Sequence, residues 1–337
     1  MRYPIGVQSF EKIIESGYVY VDKTDLVYDL AQENVCFLCR PRRFGKSLLV
    51  STLEAYFLGR KELFVGLHME KLEQDWTVYP VFHIDFSNGN YNRDGELESK
   101  LNFLLSQWEE IYGKNPLAEN IGDRFLYLLH QARVKTGHKA VVLIDEYDKP
   151  LLDVIGEDLE QQHRNILKGF YGTFKAADED LRFVLLTGVT KFSQISVFSG
   201  FNQPNDISLD PHYEAICGIT EEELYSVFDE SIRALAAKRK LSVEEAKELL
   251  KRQYDGYHFS EEMTDIYNPF SLIYVFDTKM LDDYWYRSGT PTFLAKLISG
   301  HNINMEKLLA ESYPTKLFID YRADTSDPLA MLYQSEP

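Results

Sequence analysis

The chain has 337 residues, about two domains' worth at roughly 150 residues each, and can bury a substantial core without disulfides or metals. Hydrophobic residues make up 45%, charged residues 26% and aromatic residues 14%, with mean hydropathy −0.30, which excludes a disordered or low-complexity chain. Thirty-six basic against 53 acidic residues leave a net charge of −17, which excludes a broad phosphate-coating surface, so direct nucleic-acid binding by this chain is not expected.

The N-terminal MRYPIGVQSFEKIIES lacks the apolar centre of a signal peptide. No stretch approaches about 18 uninterrupted apolar residues, so a cytoplasmic protein without membrane contact is expected. The first buried-strand candidate is Val35–Cys39 (VCFLC). Its CxxC invites a zinc or redox reading, but a strand turns residues three apart to opposite faces, and no second CxxC or nearby His completes a site. With three cysteines in all, these read as core thiols.

Directly after this strand comes Arg40-Pro41-Arg42-Arg43-Phe44-Gly45-Lys46-Ser47, and then a helix-period segment, Ser47–Leu58. Strand, loop and a Gly-Lys-Ser that opens a helix form the context of a P-loop. Backbone N–H groups and the helix dipole would face the β- and γ-phosphates of ATP, with Phe44, Gly45, Lys46 and Ser47 around them. Lys46 supplies a point charge and the Ser47 hydroxyl a ligand for Mg²⁺. Arg40 departs from the G-x-x-x-x-G-K-[ST] pattern by standing where its first glycine belongs.

Val78–Asp85 reads as a second strand, followed by helical patterns over Glu96–Tyr112 and Asp123–Val134. Ala140–Asp145 (AVVLID) is a third strand, ending in Asp145-Glu146. In a parallel sheet the strand ends gather along one ligand-binding edge. Asp145 would then lie beside Ser47 and hold Mg²⁺ through water, and Glu146 would orient or deprotonate the water attacking the γ-phosphate. Leu159–Ala177 reads as helix and Arg182–Thr187 as a fourth strand, whose Thr187 could sense the γ-phosphate by bonding the attacking water. Tyr213–Cys217 is a weaker fifth strand candidate. From Thr220 onward two helices follow, each opened by a Thr or Ser cap with Glu three positions on. The expected fold is therefore α/β with a mainly parallel sheet over residues 1–217, followed by a mostly helical domain over 218–337.

Together these residues resemble the AAA-ATPase-like proteins of bacteria and archaea, which usually carry a C-terminal PD-(D/E)XK nuclease-like domain. The resemblance rests on Gly17–Thr24 (GYVYVDKT), Arg40–Ser47, Leu143–Asp148 and LTGVTKFS from Leu186 to Ser193. It continues through Tyr254–Phe259 (YDGYHF), Tyr267–Ser271 (YNPFS) and Gly289–Leu294 (GTPTFL). It implies a P-loop ATPase with an extra strand between the P-loop strand and the Asp-Glu strand, and a helical lid with a winged-helix part. The family tolerates Arg at the position of Arg40, and Arg42 and Arg43 match its loop and would add charge against the phosphates. Val21, Asp22 and Lys23 are carried over as adenine-side residues. The chain ends at Ala330–Pro337, about where the family's nuclease-like domain begins, so that domain is expected to be missing here. Within the chain, Asp85 with Glu98-Ser99-Lys100 has a D…ExK spacing, but its helical period separates Glu98 from Lys100, and no nuclease core results.

The residues therefore point to an Mg²⁺-dependent ATPase, and the resemblance implies that it acts with a nuclease-like domain or partner. Other classes remain open: a slow-turnover switch governed by ATP or ADP, an adaptor binding through the helical domain, and a small-molecule kinase. The sequence also leaves a homo-oligomer open, and Arg164, Arg182 and Arg287 are unranked arginine-finger candidates. The aromatic group Tyr254, Tyr257, Phe259, Tyr267 and Phe270 reads as packing between lid and ATPase domain, and Arg233–Lys240 as a solvated helix face.

Overall fold

The computed structural model describes residues 1–191, 204–260, 262, 264–282 and 284. Phe192, Ser193, Arg287, Gly289–Leu294 and Ala330–Pro337, all singled out in the sequence, lie outside the described residues.

The four strong apolar runs form one sheet: β1 (Val35–Cys39), β2 (Val81–Asp85), β3 (Ala140–Asp145) and β4 (Leu181–Gly188), joined by β5 (Asn205–Asp206). The order is β2-β3-β4-β1-β5, with every pairing parallel. The strand β4 thus lies between β1 and β3, which is the inserted strand that the resemblance implies. Its position sets Thr187 beside both the end of β1 and the end of β3, because Thr187 pairs with Leu38 and Leu186 with Ile144.

Alternation of side chains divides the core in two. Phe37, Phe82, Ile84, Val142, Ile144 and Leu186 face one apolar cluster with helices Glu96–Tyr112, Ile121–Thr136 and Glu160–Tyr171. Cys36, Leu38, Val141, Leu143, Phe183 and Leu185 face the other, with helices Phe10–Glu15, Thr24–Leu30 and Lys46–Phe57. Cys39 belongs to the first cluster and Cys36 to the second, so the CxxC is split across the sheet as a strand requires. Burial pushes both thiols up to about 12, which keeps them protonated.

Several expectations are corrected in detail. The second strand begins at Val81 rather than Val78, because Pro80 has no N–H to give the ladder; its carbonyl still accepts from Val141. Tyr213–Cys217 is not a strand. Asp210 accepts from the His212 N–H and starts a 3₁₀ turn over Pro211–Tyr213, and Ile216 and Cys217 enter the core from the turn that follows. The fifth strand is the two-residue Asn205–Asp206, too short and polar to register as a pattern. The helix expected over Leu159–Ala177 breaks at Gly172 into Glu160–Tyr171 and Thr173–Ala176. Glu98 and Lys100 do lie on a helix, Glu96–Tyr112.

After β6 (Ile219–Thr220), helices Glu221–Val227, Asp229–Arg239, Val243–Tyr254 and Pro269–Thr278 enclose a separate apolar cluster, with β7 (Ile266–Tyr267) antiparallel to β6. Both expected capping boxes form: Thr220 with Glu223, and Ser242 with Glu245. Tyr3, Val19 and Val21 from the chain start pack onto this cluster. Among the described residues no helix is long and apolar enough to cross a membrane.

Candidate functional site

β1 ends at Cys39, and the Arg40 N–H still bonds the Gly188 carbonyl, at 3.2 Å, before the chain leaves the sheet. Arg43 and Gly45 then take left-handed conformations, φ 66° and 97°, which turn the chain into the Lys46–Phe57 helix with Gly45 as its N-cap. A Cβ on Gly45 would meet nothing within 4 Å, so the space above the loop is open; the left-handed φ is what calls for glycine. The first N–H groups of this helix have no intrahelical acceptor and lie at its positive end. Ser47 stands half-buried in that first turn. Lys46 is buried, and its Nζ donates to the carbonyls of Arg40 and Pro41, at 2.9 Å each. Arg42 and Arg43 are exposed, and the Arg43 guanidinium sits 5.0 Å from the ring centroid of Phe270. Phe44 is fully buried, edge-on to Tyr257 at 4.5 Å and to Phe259 at 5.4 Å.

The carboxylates gather at the neighbouring strand end. Asp145 is buried, and its Oδ1 accepts from the Thr187 hydroxyl at 2.6 Å and from the Glu146 N–H at 3.1 Å. Thr187, expected to sense the γ-phosphate, thus has its hydroxyl proton committed to Asp145, and the geometry makes it an orienting group for that carboxylate. Glu146 is half-buried with φ 52°, a left-handed turn directly after β3. Burial raises its carboxyl above the ordinary 4.5; Asp148 and Asp145 push the same way, while Lys46 and Arg42 oppose it. Segments far apart in the chain therefore share one electrostatic site.

Asp148, in the same motif, has a role that the sequence pattern does not announce. It is fully buried, and one oxygen accepts from the Val189 N–H, the Thr190 N–H and the Thr190 hydroxyl, at 2.8, 2.7 and 2.9 Å. It fastens the end of β3 to the chain leaving β4. Gly188 is required there, since a Cβ would fall 2.5 Å from the Tyr147 ring. An Asp two residues beyond the Asp-Glu pair was the available signal.

Beside Gly45 lies a largely apolar cavity of about 100 Å³ between the chain start, the loop and the helical region. Val21 and Lys23 line it together with Phe44, Leu48 and Ile219. Lys23 bonds both carboxylate oxygens of Glu223, at 2.6 and 2.7 Å. Asp22 is absent from this lining; its oxygens hold the Thr24 N–H and hydroxyl and the His68 N–H. These bonds anchor the start of helix Thr24–Leu30. Of the finger candidates, Arg182 donates to the carbonyls of Ala31 and Glu33 at the opposite end of β4, and Arg164 pairs with Glu160.

The profile of the AAA-ATPase-like family, described as "Predicted AAA-ATPase", matches residues 4–198. The chain is 38% identical over 302 residues to an uncharacterized protein in the vnfD 5' region of Azotobacter chroococcum mcd 1. That match covers 88% of this chain and 56% of the relative, so the chain spans little more than half the relative's length. No solved structure matches the chain.

Proposed function

The chain belongs to the AAA-ATPase-like family, and from that premise we propose that it binds ATP with Mg²⁺ at Arg40–Ser47 and hydrolyses it. The first-turn N–H groups of the Lys46–Phe57 helix and Lys46 hold the β- and γ-phosphates, and Arg42 and Arg43 add charge at the rim. Ser47, and Asp145 through water, would hold Mg²⁺, which would neutralise charge on the phosphates. Thr187 keeps Asp145 in place. Glu146 takes a proton from water as its oxygen bonds the γ-phosphorus and the bond to the β–γ bridging oxygen breaks, leaving ADP and phosphate. Val21 and Lys23 lie on the base side. Residues 1–217 form the ATPase domain and 218–337 a lid, and a nuclease-like domain or partner receives the output.

One observation carries this reading. The end of β4 holds both halves of the site: its Gly188 carbonyl accepts from the Arg40 N–H that begins the loop, at 3.2 Å, and its Thr187 hydroxyl donates to Asp145 at the end of β3, at 2.6 Å. A fortuitous basic loop and a fortuitous acidic strand end have no reason to meet. Titration with ATP, ADP and GTP, with and without Mg²⁺, followed by phosphate release, tests it: Mg²⁺-dependent ATP binding and turnover are expected, and absence of nucleotide binding refutes it. A slow switch is the second reading. Aromatic residues of the helical region clasp the loop at Phe44 and Arg43, so nucleotide entry can be read out as repacking without turnover. Tight binding without phosphate release would favour it.

A further inference from the structure

Arg40 is one of the largest fully buried side chains in the protein, although it stands where a P-loop pattern has glycine. Among the described residues no carboxylate forms an ion pair with it; Asp206 and Glu214 act on its charge from farther off. Nη1 donates to the carbonyls of Cys39 and Ser208 at 2.9 and 2.7 Å, and Nη2 to those of Tyr213 and Glu214 at 3.1 and 3.4 Å. The guanidinium carbon lies 4.0 Å from the ring centroid of Phe259. A buried cation is tolerated when most of its donors are filled and an aromatic face supplies negative potential. Here both Nη atoms are filled, Nε has no partner among the described residues, and the Phe259 ring supplies the aromatic face. The side chain thereby joins the end of β1, the chain after β5, the turn at Tyr213–Glu214 and the helical region. The Glu214 carboxylate fastens the same contact from the other side by accepting from Ser260 and Thr264. The backbone of Arg40 faces the site, since its carbonyl receives the Lys46 ammonium at 2.9 Å.

We infer that Arg40 is a positioning residue of the phosphate loop: its buried guanidinium, clasped by Phe259, fixes the carbonyl that seats Lys46 and links loop occupancy to the segment around Tyr257–Ser260. This rests on the nucleotide reading above. It has a counter-intuitive consequence. Arg40→Gly completes the G-x-x-x-x-G-K-S pattern, yet it removes the clasp and weakens nucleotide binding.

The test compares the wild type with Arg40→Gly, Phe259→Leu and Phe259→Tyr by Mg²⁺-ATP titration below each protein's melting temperature. Amide exchange at Tyr257–Ser260 is followed with and without nucleotide. Arg40→Gly should bind about tenfold or more weakly and lose the nucleotide-dependent change in exchange. Phe259→Leu should bind several-fold more weakly, whereas Phe259→Tyr, which keeps an aromatic face over the guanidinium, should match the wild type. A merely structural role would lower the melting temperature and leave the affinity and the exchange response of the folded protein unchanged. If Arg40→Gly does not fold, the Phe259 pair decides: equal affinity for Leu and Tyr overturns the inference. Equal or tighter binding by folded Arg40→Gly also overturns it. Failure of the wild type to bind ATP would refute the nucleotide reading and the inference together, while wild-type binding with unaltered variants refutes the inference alone.

Discussion

Replacing Thr187 with valine keeps the side chain's shape and deletes one O–H, which makes it a clean probe of how Asp145 is held. Thr187 is fully buried and Asp145 is 4% exposed, so water cannot replace the missing donor. The bond is short, 2.6 Å, and after its loss Asp145 keeps the Glu146 N–H at 3.1 Å as its donor among the described residues. A hydrogen bond to a charged group contributes about 1.5–3 kcal/mol, which corresponds to about 10- to 150-fold in an equilibrium constant. At about 2–4 °C per kcal/mol, Thr187→Val should melt about 3–12 °C below the wild type. The same freedom in Asp145 should raise the Mg²⁺ concentration needed for half-maximal ATP binding. Thr187→Ser retains the donor and should restore the Mg²⁺ dependence, while losing some stability to the missing methyl. Thermal melting and Mg²⁺ titrations at fixed ATP measure both effects. If Thr187→Val melts and titrates like the wild type, the hydroxyl does not hold Asp145 and the roles assigned to both residues fail.

Glu146→Gln keeps size and hydrogen bonding but cannot take a proton, so phosphate release should fall about 10²-fold or more with ATP affinity similar; joint loss of binding and turnover would make Glu146 a ligand or a scaffold residue. Because burial raises the Glu146 carboxyl above 4.5, it stays protonated to higher pH than a free carboxyl, and wild-type turnover should decline on acidification at a pH above the ordinary carboxylate range. An acid limb lying at or below that range would contradict the assignment. Asp148→Ala strips the acceptor from the Val189 and Thr190 N–H groups and the Thr190 hydroxyl, and at about 1–3 kcal/mol per buried unsatisfied donor should destabilise by about 3 kcal/mol or more in urea unfolding. Asp148→Asn keeps an acceptor and should cost less; equal stability of all three proteins would show that this contact does not fasten the β3 and β4 ends.

The parts of the fold legible in the sequence are those with their own local signal. VCFLC and AVVLID are apolar runs of strand length, and they became β1 and β3. Thr220 with Glu223 and Ser242 with Glu245 carry their caps in the sequence, and both boxes formed. Asn205–Asp206 could not be seen, because its place in the sheet comes from β1 offering an edge and not from any apolar pattern. Tyr213–Cys217 misled for the opposite reason: its apolar residues are buried, but from a turn capped by Asp210. At the site, the order and context of Lys46, Ser47, Asp145 and Glu146 were readable because chemistry fixes their types. The partners of Arg40 and Asp148 were not, since most are groups brought in from distant parts of the chain, and the same is true of the His68 N–H on Asp22. Arg40 read as a departure from a pattern, and only its five contacts show what it does.

Mg²⁺-ATP affinity of the wild type against Lys46→Ala, measured by calorimetric titration on proteins shown to be folded, tests the central claim most directly. Lys46 is buried at the start of its helix, and among the described residues its ammonium bonds two carbonyls, poised for phosphates that carry full charge. Its removal should weaken binding by about 1.5–3 kcal/mol, or about 10- to 150-fold. Equal affinity in the two proteins would place the nucleotide elsewhere and contradict the assignment of Arg40–Ser47.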